Sequence, residues 1–351
     1  MDFQPNSVEN NSSNKMPTLS IIVPCYNESE VLPSFYERTS KVLESCNIEY
    51  ELIFINDGSD DKTLEIISSL RQRNQKVKLI DLSRNFGKEI AMTAGIDFAS
   101  GEAVIIIDSD LQHPPELIPE MYRYWRDGFD VVYATRIKQD DESFIKKLTA
   151  QAFYWVITRL SIVRIPENAG DYRLMSRRAV EAMKQFQEQH RFMKGLFSWI
   201  GYRQISIPYH REPRHAGSSK WSYWQLWNFA IEGITSFSYG PLRVASYLGI
   251  VTAFMAVIYA SIEIIKVVVR GRDVPGYASI MVTLLFLGAV QLITLGIIGE
   301  YLGRIYNEVK RRPLYLVQQL SGITPVAGVN TSERTVSSLP EWFHKKDQIC
   351  K

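Results

Sequence analysis

The sequence predicts an α/β domain with a mostly parallel sheet, followed by interfacial helices and a pair of membrane-crossing helices. Three observations carry that expectation. Short β-branched runs alternate with amphipathic stretches from Leu19 onward, each run stops at a polar cluster, and two long uncharged segments follow residue 243. Alternation of strand and helix is the pattern of a sheet covered by crossover helices.

The first run, Leu19–Pro24, leads into a helix-like segment ending near Cys46, and Glu51–Ile55 leads into Thr63–Asn74. Val77–Asp81 and Ala103–Asp108 continue the series, Phe129–Thr135 reads as a further strand, Lys146–Leu160 as an aromatic helix and Arg177–Gln187 as a polar-faced one. The runs end at Tyr26-Asn27-Glu28, Asn56-Asp57-Gly58-Ser59, Ser83-Arg84-Asn85 and Asp108-Ser109-Asp110. Ligands of open α/β sheets sit beyond the carboxyl ends of the strands, so these clusters can converge on one crevice.

Composition narrows the function classes. The 351 residues are 46% hydrophobic, enough for a sizeable core, so disorder of the whole chain is excluded. With 40 Lys+Arg against 38 Asp+Glu there is no overall field to argue for nucleic acid. The three cysteines (Cys25, Cys46, Cys350) lack CxxC spacing and support neither a disulfide framework nor a zinc site. Residues 1–17 are polar, rich in Asn and Ser and without the apolar core of a signal peptide, which predicts a disordered arm that begins in the cytoplasm.

Val244–Ile262 carries no charge over 19 residues and Val274–Gly299 none over 26. A bilayer crossing takes roughly 20. Only Glu263–Asp273 separates the two, so they form a hairpin within 244–303 that returns the C-terminus to the side of the 18–220 domain. Arg243, Arg304, Lys310, Arg311 and Arg312 flank the open end against Lys266, Arg270 and Arg272 at the tip, which places the domain in the cytoplasm of a cell-membrane protein. Within 221–243, Trp221, Tyr223, Trp224 and Trp227 favour an amphipathic helix at the headgroup level over an ordinary buried one. Gly288, Gly296, Gly299 and Gly303 permit close helix packing and predict a homo-oligomer, with a tetramer as one candidate state. The tail 304–351 is polar beyond Val317 and reads as unstructured.

Asp108 and Asp110 place carboxylates two residues apart at a strand end, a spacing suited to a hard cation that grips a diphosphate. An Asx-rich turn is the commoner meaning of a lone Asp-x-Asp. Gln112 and His113 follow as further potential ligands, with His113 before Pro114-Pro115 favoured as a turn residue. Tyr26 offers a ring to stack on a base, and Asp57 can accept from a base N–H or a ribose hydroxyl. No GxGxxG or GxxxxGK[ST] occurs in these loops, so dinucleotide-binding and P-loop readings lose support.

In order, Val23-Pro24-Cys25-Tyr26-Asn27-Glu28, Asn56-Asp57-Gly58-Ser59, Arg84-Asn85-Phe86-Gly87-Lys88, Asp108-Ser109-Asp110-Leu111-Gln112 and Gly170-Asp171-Tyr172-Arg173 resemble the family 2 glycosyltransferases of the GT-A fold. The likeness is to the polyprenyl-phosphate branch, which includes dolichol-phosphate mannose synthases and bactoprenol glucosyltransferases, and spans roughly Thr18 to Val317. It implies that Pro24, Tyr26, Glu28, Ile55, Asp57, Asp108 and Ser109 hold the nucleotide sugar, and that Asp108, Asp110 and Gln112 bind Mg²⁺ or Mn²⁺. Arg136 would lie near the donor diphosphate, and Arg211, Arg214, Ser219 and Lys220 in REPRHAGSSKW would hold the acceptor phosphate. Asp110, Arg136 and Asp171 are the catalytic candidates, Asp171 orienting the acceptor or the sugar hydroxyls unless it pairs with Arg173 or Arg177. The implied reaction is inverting transfer of a hexose, glucose from UDP-glucose favoured, to a polyprenyl phosphate. GDP-mannose and UDP-N-acetylglucosamine are alternative donors. A processive polysaccharide synthase is disfavoured by the missing QxxRW motif and the small number of membrane helices. A non-catalytic membrane scaffold is disfavoured by the presence of the acidic pair and the cations.

Overall fold

A computed structural model describes residues 18–137, 169–186, 188–210, 212, 235, 238, 240–270 and 276–323. The expected arm at 1–17, the aromatic helix at 146–160 and the segment 221–234 lie outside the described residues.

Eight strands form one sheet in the order β7-β5-β6-β4-β1-β2-β3-β8. Its parallel centre is β1 (Leu19–Cys25), β2 (Tyr50–Asn56), β3 (Val77–Leu82) and β4 (Ala103–Ile106). Alternate residues of these strands feed opposite faces. Leu52 and Phe54 join the cluster under α1 (Leu32–Ser45), α2 (Thr63–Arg73) and α4 (Ile118–Arg126), whereas Ile53 and Ile55 join the cluster on the other face. That second layer is α3 (Lys88–Phe98), α5 (Arg177–Lys184) and α6 (Met193–Trp199). Burial on both faces is why the strands read as nearly continuous apolar runs.

The sheet is extended by β6 (Ala169–Ser176), antiparallel to both β4 and β5 (Val131–Arg136), and by β7 (Gln204–Tyr209), parallel to β5. The strand order reverses at β1, since β2 lies on one side of it and β4 on the other. A crevice therefore opens between the carboxyl ends of β1 and β4.

Two helices make the hairpin. α7 spans Gly240–Arg270 and α8 spans Tyr277–Lys310, and they pack on one another. The apolar stretches suited to a bilayer are Gly240–Ile262 and Ile280–Lys310, each offset from the uncharged runs in the sequence because the helices continue past them. At 1.5 Å per residue α8 is about 51 Å long, well beyond a hydrocarbon core of about 30 Å.

The tail departs from expectation. Instead of losing structure beyond Val317, the chain forms β8 (Val317–Ser321), antiparallel on the outer edge of β3. Ser83 N–H donates to Leu316 O (3.0 Å), and the Tyr315 hydroxyl donates to Asp97 Oδ2 (2.8 Å). An edge strand needs only one apolar face, and its Gln318-Gln319 pair hides that face from composition.

Candidate active site

The loops after β1 and β2 are stitched together by polar side chains. Asn27 N–H donates to Ser59 Oγ (3.0 Å), Asp60 N–H to Asn27 Oδ1 (2.9 Å) and Glu28 N–H to Thr63 Oγ1 (2.9 Å). Asn27 accommodates φ +55°, which an Asn tolerates better than most residues. The result fixes Pro24 and Glu28, both partly buried, beside the strand ends and leaves Tyr26 37% exposed.

Asp57 sits one residue past β2 and reaches the third loop. Its Oδ1 accepts from Phe86 N–H (2.7 Å) and its Oδ2 from Gly87 N–H (2.9 Å). Burial pushes its pKa up, and the two amide bonds resist that rise. Both oxygens are thus committed to the backbone, so a nucleotide would meet only their remaining lone pairs. Ile55, implied as a nucleotide residue, is fully buried under α3, close to Gly95, and shapes the floor of the site from inside the core.

The loop that Asp57 holds ends at Gly87 (φ +96°) and starts α3 at Lys88. The Lys88 ammonium lies 2.6 Å from Asp108 Oδ1 and 2.7 Å from Asp171 Oδ2. Crowding by the protein lowers its pKa, and the two carboxylates more than reverse this, so the group is held protonated. Burial likewise works to raise Asp171, but Lys88 and Lys194 overcome it and hold the carboxyl below the ordinary range. Next along α3, Glu89 accepts from Met193 N–H (3.2 Å) and is pushed up to about 8 by burial and by Asp171.

Asp108, Asp110 and His113 gather at the end of β4, their potential ligand atoms all within 4.8 Å of one another. Leu111 takes φ +57° to turn the chain back, and Asp110 Oδ1 accepts from Gln112 N–H (3.1 Å). His113 lies in a bend before Pro114-Pro115, as the turn reading expects, and its side chain is also part of the cluster. Its ring is buried between Tyr172 and Tyr209, with centroids at 5.4 and 5.6 Å, and Nδ1 is 3.7 Å from Asp108 Oδ2. Burial lowers its pKa, keeping it neutral and able to ligate.

Among the described residues neither His113 ring nitrogen nor Asp171 Oδ1 has a hydrogen-bond partner, although all three atoms are buried. Buried polar atoms without partners call for an explanation, and a bound ion is one that suits this donor set. Two carboxylates and a neutral imidazole therefore fit a divalent cation.

Ser109 and Gln112, on the same loop as this cluster, are both buried. Arg136 ends β5 in register with Tyr209, is exposed, and lies close enough for its charge to lower the pKa of His113. Asp171 pairs with Lys88. The guanidinium of Arg173 instead donates to the carbonyls of Gly170 (2.6 Å) and Asp171 (3.4 Å), and that of Arg177 to the carbonyls of Ala99 and Gly101 and to Glu181. Arg211, Arg214, Ser219 and Lys220 lie outside the described residues. Lys88 stands in the Arg84-Asn85-Phe86-Gly87-Lys88 motif that carries the family resemblance, which assigns it no role, and Glu89 follows that motif with no sequence signal of its own.

Acidic groups gathered over the strand ends of an open sheet, in a chain that continues into an apolar hairpin, place this protein among the membrane-associated glycosyltransferases. Residues 20–184 match the model of Glycosyl transferase family 2, residues 240–305 match that of the GtrB C-terminal hairpin, and the chain belongs to this family. A glycosyltransferase of Synechocystis sp. is 55% identical over 305 residues, covering 87% of this chain and 96% of that one. The SfII prophage-derived bactoprenol glucosyl transferase of Shigella flexneri is 46% identical over 301 residues, 86% of this chain and 97% of its own. The prophage bactoprenol glucosyl transferase homolog of Escherichia coli is 44% identical over 302 residues, 86% and 99% of the two chains.

Proposed function

We propose that this glycosyltransferase moves glucose from UDP-glucose to a polyprenyl phosphate at the cytoplasmic face of the cell membrane, inverting the anomeric carbon. The observation that carries the reading is the cluster of Asp108, Asp110 and His113 beside the Lys88–Asp171 pair, in a chain whose hairpin can hold it at a bilayer. The relatives named for bactoprenol glucosyl transfer support the choice of sugar and carrier.

The acceptor is a phosphate monoester with a second pKa near 6, by analogy with phosphorylated side chains, so it is largely dianionic at neutral pH. One of its oxygens attacks the anomeric carbon opposite the nucleotide. The new C–O bond forms as the bond to the diphosphate breaks, and the electron pair leaves with UDP. No strong general base is required, and positioning carries most of the catalysis. Asp108 and Asp110, with His113 and the adjacent Gln112, would hold Mg²⁺ or Mn²⁺, which supplies positive charge to the leaving diphosphate. Asp171, kept ionised, accepts from the sugar hydroxyls or orients the acceptor, and Arg136 faces the diphosphate from β5. Arg211, Arg214, Ser219 and Lys220 are assigned to the acceptor phosphate. Gly288, Gly296, Gly299 and Gly303 have open space on their Cα atoms, which supports a helix-packed homo-oligomer.

The test is direct. Membranes holding the protein are incubated with polyprenyl phosphate and a panel of nucleotide sugars, and the lipid product is identified by mass. UDP-glucose should give polyprenyl phosphate glucose, and Asp110→Ala should lose at least a hundredfold in rate, about 3 kcal/mol, while still inserting in the membrane. Full transfer by the Asp110→Ala protein would overturn the assignment.

A further inference from the structure

Three features make Lys88 unlike the other cations of the site. Its ammonium contacts two carboxylates from different elements, Asp108 of the loop after β4 and Asp171 of β6, at 2.6 and 2.7 Å. Those carboxylates meet just past the last β4–β6 pair. β4 and β6 are antiparallel and their pairing ends with Ile106 opposite Arg173, so Asp108, two residues beyond β4, and Asp171 on β6 lie at the same end of the two strands, where Lys88 contacts both. Like charges held close together repel, so the pair needs a cation between them. Finally, Lys88 is placed by backbone. The preceding two amides are held by Asp57, and Lys88 is the first residue of α3. Its side chain remains 43% exposed as a whole, while the ammonium at its end is crowded by the protein and held by the two carboxylates.

We propose that Lys88 is a built-in counter-cation of the donor site. It neutralises the Asp108–Asp171 pair before a divalent cation arrives, gives up Asp108 to that cation, and keeps Asp171. The proposal deepens the reading of a metal-binding Asp108–Asp110 site and rests on it. Bringing a dication to Asp108 displaces one carboxylate contact of Lys88, so the two cations compete for the same oxygen. The ammonium, freed from one carboxylate, would stay beside Asp171 and add its charge to that of a dication held by Asp108 and Asp110. Lys88 is thus a positioning residue, whose function is to keep the carboxylates assembled but exchangeable.

The competition has a sign that ordinary structural support does not. Mn²⁺ binding to the purified full-length protein, without donor, is measured by the electron paramagnetic resonance signal of free Mn²⁺. Lys88→Met should bind Mn²⁺ about tenfold more tightly than wild type, because a competing unit charge within a few ångströms is gone, while glucosyl transfer falls. Lys88→Arg, which keeps the charge, should not tighten binding. Asp171→Asn, which leaves Lys88 with Asp108 alone, should weaken it at least threefold. Arg84→Gln removes a cation from the same loop without touching Asp108 and should change the affinity less than twofold, which separates direct competition from long-range charge.

Unchanged or weaker Mn²⁺ binding in folded Lys88→Met overturns the proposal. So does equal tightening by Arg84→Gln. Should Lys88→Met fail to fold, Lys88→Arg and Asp171→Asn decide the matter: tightening by the first, or no weakening by the second, overturns it. The two readings fail differently. If wild-type Mn²⁺ binding is indifferent to Asp110→Ala, the metal site itself is wrong. If it depends on Asp110 but Lys88→Met does not tighten it, only the role of Lys88 falls.

Discussion

Asp57→Asn isolates the part of the site that is built rather than merely placed. The aspartate is 3% exposed and each of its oxygens accepts one backbone N–H, from Phe86 at 2.7 Å and Gly87 at 2.9 Å. An amide of the same shape can accept only one of them. Its NH₂ then meets the other N–H donor to donor. The lost charge-assisted bond is worth about 1.5–3 kcal/mol, and a buried unpaired N–H costs about 1–3 kcal/mol more. The burial that pushes the Asp57 carboxyl up is relieved in the amide and offsets part of this, so about 3 kcal/mol is expected. That is roughly a hundredfold in the opening equilibrium of the loop. Hydrogen exchange of the Phe86 and Gly87 amides, read by mass spectrometry on the detergent-solubilised protein, should show protection falling by about that factor. Because the same loop starts α3 at Lys88, transfer should drop with it. Native protection of those amides together with full activity would refute the view that Asp57 serves as a clamp.

Three further outcomes follow from the same geometry. In Gly58→Ala the new Cβ would stand 2.4 Å from Arg84 C and 2.5 Å from Asn85 N at φ +63°, so the loop must shift; transfer should fall at least tenfold, and wild-type turnover would show the contact to be soft. Glu89 has its pKa raised to about 8 in the folded protein, so between its ordinary value and about 8 the folded state binds more protons than the unfolded one. Stability then falls as pH rises through that window, and Glu89→Gln should flatten the dependence of melting temperature on pH; an unchanged slope would count against burial of the ionisable carboxyl. Ending the chain at residue 312 removes β8 with the half-buried Tyr315, Val317, Leu320 and Ile323, at about 1 kcal/mol each, and should lower stability by about 4 kcal/mol in denaturant unfolding. Equal stability would mean that the strand only decorates the edge of β3.

What the sequence made legible was whatever is periodic or terminal. The central strands lie where β-branched runs lie, because parallel strands buried on both faces must be apolar throughout. Tyr26, Asp57, Asp108 and Asp110 stand at strand ends, where polar residues interrupt such runs. Less visible was anything whose partner is distant in sequence. β6 carries Asp171 and Arg173 amid its apolar residues, and its pairing with β4 cannot be read from Ala169–Ser176 alone. Arg173 is buried because it lies over the Phe197 ring at 3.7 Å, and burial lowers its pKa to about 10. His113 precedes two prolines and reads locally as a turn, and only the rings of Tyr172 and Tyr209 turn it into a buried imidazole beside the acidic pair.

The membrane hairpin is also more than a tether. α8 outlasts the bilayer core, and at its C-terminal end Glu308 accepts from Gln189 N–H (2.8 Å), Asn307 meets His190 (3.0 Å) and Arg312 O accepts from the Gln189 side chain (2.7 Å). Residues 188–192 lead straight into α6, whose first amide, that of Met193, is held by Glu89 beside Lys88. A rigid helix leaving the membrane therefore ends three residues from an element that borders the acidic cluster. The chain then closes the far edge of the same sheet with β8. Two attachments on different elements constrain how the sheet sits on the hairpin more than a single flexible linker would. For an acceptor whose phosphate is held at the headgroup level by its own lipid tail, that rigidity sets the distance between nucleophile and anomeric carbon. The proposed transfer relies on positioning rather than on a strong base, and the contacts of α8 with Gln189 and His190 are where the hairpin would contribute to it.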